Sequence, residues 1–120
     1  MRDIKFRAWD LQLNKYRSPG TIQLSCTGKI FLLVPNGNKF TIERIENLVL
    51  EQFTGLKDKN GLDIYEGDII EWEDGITDKI IFLLGAFGYE NKCKEFVTLF
   101  DSNLNILEVI GNLYENPELL

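Results

Sequence analysis

Between Phe53 and Glu73 the chain reads FTGLKDKNGLDIYEGDIIEWE, and no other stretch constrains the fold as tightly. It carries two turn signals, Asp58-Lys59-Asn60-Gly61 and Glu66-Gly67-Asp68, each flanked by β-type residues. Asn60-Gly61 readily takes positive φ, which suits a hairpin turn that follows the right-handed twist of its strands. Leu62, Ile64 and Tyr65 then lead to Gly67, and a strand with Ile69, Ile70 and Trp72 follows. The pattern predicts a hairpin, a sharp corner at Gly67, and a strand that enters the core with Ile70 and Trp72 facing inward. That is a statement about structure; the same residues say almost nothing about chemistry.

The 120 residues fit one domain, or two small subdomains sharing a core. Hydrophobic residues make up 44%, with eight Phe, four Tyr and two Trp, enough to build a core and to reject global disorder. A net charge of −6 opposes a bulk electrostatic grip on nucleic acid. Lys5, Arg7, Lys15 and Arg17 could form a local basic patch, although a solvated strand face explains them as simply. Cys26 and Cys93 belong to no close pair, so a disulfide framework is not expected. No apolar leader follows Met1-Arg2-Asp3, and no run approaches the roughly 18 to 20 residues that span a bilayer. The expectation is a cytoplasmic protein with reduced thiols and no membrane partner.

Along the chain, Ile4-Lys5-Phe6-Arg7-Ala8-Trp9 alternates with period two, which predicts a strand burying Ile4, Phe6 and Ala8. Trp9 falls on the face of Lys5 and Arg7, either at a strand end or in a second contact. Residues 10–20 read as a turn or mobile loop, residues 21–25 and 29–34 as strands, and Pro35-Asn36-Gly37-Asn38 as a turn onto a strand over Lys39–Ile42. The segment Glu43–Gln52 is ambiguous between helical spacing and a turn followed by a strand from Leu48. Asp74-Gly75 signals another hairpin, and Thr77–Leu84 reads as a strand whose apolar run Ile80–Leu84 suggests burial on both faces. Gly85-Ala86-Phe87-Gly88 is consistent with a bend or bulge where backbones approach. Residues 96–100 and 106–110 are the last strands. Asn116-Pro117 resembles a helix start with room for a single turn. About eight or nine strands with turn signals every 8 to 12 residues favour a barrel or sandwich.

Histidine is absent, which excludes Ser-His-Asp and Cys-His nucleophiles and any His-ligated zinc. Glu71 and Glu73 project to one strand face and could meet a hard cation, yet they read as simply as the solvated side of an amphipathic strand. The segment from Asp58 to Asp63 fails the calcium-loop spacing, because its Gly stands fourth. Residues 85–88 lack the Lys-Ser/Thr of a phosphate loop. Trp9, Tyr65, Trp72, Phe87, Tyr89 and Tyr114 could supply a stacking or peptide-binding platform, or could be core.

Three blocks, MRDIKFRAWD, FTGLKDKNGLDIYEGDII and EVIGNLYENPELL, together resemble the YopX family of small phage and prophage proteins of Gram-positive bacteria. They sit at the start, middle and end of the chain, and residues 11–50 match least. The resemblance implies an all-β, SH3-barrel-like fold, a phage origin and no established activity; it brings no catalytic residues. The resulting expectation is a mainly β, SH3-barrel-like roll over residues 54–120, with an N-terminal β subdomain over 1–53 and one or two short helical turns. Its structural residues would be Asn60, Gly61, Gly67, Trp72, Asn116 and Pro117. The chain is read as a non-enzymatic accessory module without cofactor or metal, acting as a homo-oligomer or on a host or phage protein. The alternative is a nucleic-acid-binding module, for which fold analogy is the whole argument.

Overall fold

The computed structural model describes residues 4–17, 22–24, 30–44, 47–99 and 103–120. Among them the protein is mainly β, with thirteen strands and isolated 3-10 turns. It divides into two compact units: Phe6–Glu51, and Gln52–Leu120 together with Met1–Lys5.

In the smaller unit β1 (Phe6–Asp10) pairs antiparallel with β2 (Lys15–Tyr16), and its other neighbour is the first half of β6 (Leu48–Lys57). Ala8, Trp9 and Asp10 are buried and Ile4 is 68% exposed, so burial concentrates at the end of the strand and does not follow the expected alternation. The cause is Asp10. Its Oδ1 accepts the backbone N–H of Gln12 and Leu13, each at 2.9 Å, and its Oδ2 accepts from Arg17 at 2.8 Å. That network closes residues 11–14 into the turn of a hairpin, the first of the two readings, turn or loop, that the sequence offered. Trp9 meets Tyr16 edge-on at 4.9 Å. A second sheet of this unit has the order β3-β4-β5, with β3 at Ile22–Leu24, β4 at Ile30–Asn36 and β5 at Lys39–Arg44. Asn36 pairs with Lys39, leaving Gly37-Asn38 as a two-residue loop. Thr27-Gly28, Ser18-Pro19-Gly20 and Cys26 lie outside the described residues.

The larger unit begins in the second half of β6, which pairs with β7 (Asp63–Tyr65). Between them the tip at residues 58–61 is fixed by Asp58. Its Oδ1 accepts from the backbone of Asn60 and Leu62, and its Oδ2 from the distant Val109, all at 2.9 Å. At the following corner Gly67 holds a φ of +86°, where a side chain would be strained. Its N–H donates to Ile80 and its carbonyl accepts from Leu113, both at 2.8 Å. Buried Asp68 accepts the N–H of Tyr65 at 2.8 Å and closes the corner.

From the corner β8 (Asp68–Trp72) runs as the middle strand of a sheet, between β9 (Thr77–Lys79) and β13 (Leu107–Asn112). Ile69 and Ile70 are both fully buried, and each such side chain stabilises by about 1.5–3 kcal/mol. Ile64, Ile70, Ile80, Leu99 and Leu107 form the core. A third sheet has the order β10-β11-β12, with β10 at Ile81–Leu83, β11 at Ala86–Glu90 and β12 at Phe96–Thr98.

One expectation is overturned here. Thr77–Leu84 is two strands, not one, and its run Ile80–Leu84 is not buried on both faces. Ile80 is buried and donates to Asp68 at 2.8 Å, which ends β9, and the chain turns into β10 with Phe82, Leu83 and Leu84 exposed. The expected single turn is present: residues 117–119 form a 3-10 turn with Asn116 at its N-cap position and Pro117 at its start, although the Asn116 side chain makes no capping hydrogen bond. Its Oδ1 instead accepts from Asn112 at 3.2 Å, and its side chain occupies the space a Cβ on Gly111 would need.

Candidate interaction site

β10 and β11 form a hairpin with Leu83 opposite Ala86, so its loop is Leu84-Gly85. Both residues have positive φ, +53° and +80°. A two-residue loop of this kind selects Asn or Gly at its first position, because a Cβ there crowds the backbone. This chain places a leucine there, and that leucine is 93% exposed. Phe82, 52% exposed, packs on Phe87 across the hairpin with ring centroids 4.9 Å apart. Strain at an exposed apolar tip is a sign of function more than of stability. A cleft of about 330 Å³ lies alongside, lined by Thr54, Gly55, Leu56, Phe82, Phe87 and Leu99 among others. The hairpin is held down by Gly88, for a Cβ there would collide with the Val97 carbonyl and the Phe96 ring. The sequence had marked residues 85–88 as a place of close backbone approach, and Gly88 is the residue that makes it.

A second cleft, about 310 Å³, opens where the end of β8 meets β9 and the β11–β12 turn. Trp72 and Tyr89 form one wall, with ring centroids 5.1 Å apart and planes tilted by 57°. The Trp72 indole N–H donates to Asp78 Oδ2 at 2.7 Å. Burial raises the Asp78 carboxyl above the usual aspartate value and nearby Asp74 adds to the rise, while the indole and Lys92 pull the other way. Asn91 stiffens the far wall, its Oδ1 accepting the N–H of Cys93 and Glu95 at 2.9 Å. The Cys93 thiol is free and exposed.

Of the aromatic residues singled out in the sequence, Trp72 and Tyr89 line the second cleft and Phe87 the first, while of the expected structural residues Trp72 alone lines either. Asn60 and Gly61 sit exposed at the hairpin tip, and Asn116 and Pro117 belong to the C-terminal turn. Glu71 and Glu73 are exposed, and no three acidic or thiol side chains converge on a metal-sized site among the described residues. Asp78 was missed. The signal that could have found it is the hairpin at Asp74-Gly75: Asp78 lies opposite Ile70, two residues before Trp72, and therefore on the same face of the hairpin as Trp72. No helix among the described residues is long and apolar enough to cross a membrane.

Known structures resemble the chain over its full length, two of them as follows. The crystal structure of a protein from Enterococcus faecalis is 28% identical, with a TM-score of 0.68, covering 100% of this chain and 99% of that one. The crystal structure of YopX from Bacillus subtilis is 22% identical, with a TM-score of 0.70 and the same coverage. No curated protein matches. The model of the YopX protein family matches residues 5–120, and the chain belongs to that family.

Proposed function

We propose that this chain is a non-enzymatic phage accessory protein that acts in the bacterial cytoplasm through protein contacts, above all with copies of itself. The observation that carries the reading is the β10–β11 hairpin. Residues 80–89 contain no charge in a chain of net charge −6. Copies of an acidic protein repel one another, so an uncharged surface is where they can meet. β10 stands at the edge of its sheet, and an edge strand can pair antiparallel with its own symmetry mate in an isologous contact. The phage origin rests on what the family resemblance implies.

Hydrogen exchange tests the contact directly. Amide protection at residues 81–83 is expected to rise with protein concentration while protection in β8 stays constant. Protection at 81–83 that ignores concentration contradicts self-pairing. Tight binding of DNA at low salt, lost steeply as salt rises, would favour the nucleic-acid reading instead.

A further inference from the structure

The cleft at Trp72 and Tyr89 opens at the Tyr89 end of β11, away from the Leu84-Gly85 tip, and its chemistry is different. Its floor is aromatic and its acids, Asp74 and Asp78, come from the turn and the second strand of one hairpin. We propose that this cleft binds an arginine side chain of a partner polypeptide. The proposal does not depend on self-association.

Three features support it. First, at 5.1 Å and a tilt of 57° the two rings pack against each other, so nothing enters between them, and both line the cleft. A flat guanidinium lies across an aromatic face better than a compact ammonium does. Second, Asp78 Oδ2 is turned by the Trp72 indole, while Oδ1 has no partner among the described residues. A half-buried carboxylate with a free oxygen is poised to accept a charged N–H donor. Third, burial and Asp74 disfavour the Asp78 charge, and the charge of an incoming cation offsets both. Lys92, also in the lining, is the one opposing group. It balances Asp78 at a distance and competes with the ligand.

The test is an NMR titration of the Trp72 indole N–H resonance with acetyl-Gly-Arg-Gly-amide, using the citrulline peptide as the uncharged isostere. The expected result is a saturable shift with arginine and binding at least about tenfold weaker with citrulline, the size of one charged hydrogen bond. Asp78→Asn still offers an acceptor to the indole, and is expected to lose about the same tenfold. Lys92→Gln, on the surface, is expected to bind tighter. Equal shifts from the two peptides, no saturable shift, or unchanged affinity in Asp78→Asn would each overturn the assignment.

Discussion

Two aspartates hold the middle of the chain in place by accepting backbone N–H groups. Asp58 accepts three, including one from Val109, 51 residues away. Asp58→Ala orphans them and is expected to lose about 2–3 kcal/mol in urea unfolding. Asn60→Ala, at an exposed position beside it, is expected to lose under about 1 kcal/mol. Gly67→Val, which forces a β-branched residue to positive φ, falls with Asp58→Ala at about 1–3 kcal/mol. Equal melting temperatures for Gly67→Val and Asn60→Ala would show that the corner is unstrained. Asp10 supplies a pH-dependent term. The Leu13 backbone N–H, then Arg17 and the Gln12 N–H, outweigh burial and hold its carboxyl below the ordinary aspartate value. The stability it contributes is therefore present above that ordinary value and is lost as pH falls through the lowered one. Asp10→Asn should be less stable than the wild type at pH 7, and the gap should close on acidification. A gap that does not depend on pH would rule out the charge as its origin.

Among the elements, the β10–β11 hairpin trades stability for exposure. A leucine at φ +53° costs about 1 kcal/mol, which asparagine largely avoids. Leu84→Asn is expected to raise the melting temperature by about 4 °C in dilute solution, where self-association adds nothing. An unchanged or lower value would mean that the turn is not strained. This hairpin also marks the limit of what the sequence discloses. Turn chemistry is local, so Asn60-Gly61, Glu66-Gly67-Asp68 and Asp74-Gly75 could be read directly. An apolar run such as residues 80–84 looks the same whether it is buried or projecting, because exposure depends on how many neighbours the sheet supplies. Asp58 and Asp68 read as turn residues, and nothing local shows that their carboxylates reach backbone on other strands. The Trp72–Tyr89 cleft needs β8, β9 and β11 brought together, and only the Trp72–Asp78 half was within reach of a local pattern.

For the molecule as a whole, mainly β structure and YopX family membership leave activity to be decided by surfaces. Those surfaces are of two kinds, an uncharged apolar tip and an aromatic cleft with acids, and they call for different partners. The central claim is that the apolar tip joins copies of this chain. Multi-angle light scattering across a wide concentration range tests it most directly. The wild type is expected to show a mass that is a multiple of 13.9 kDa, and Leu84→Asn to shift toward 13.9 kDa at the same concentration. A wild-type mass of 13.9 kDa throughout that range would contradict the claim.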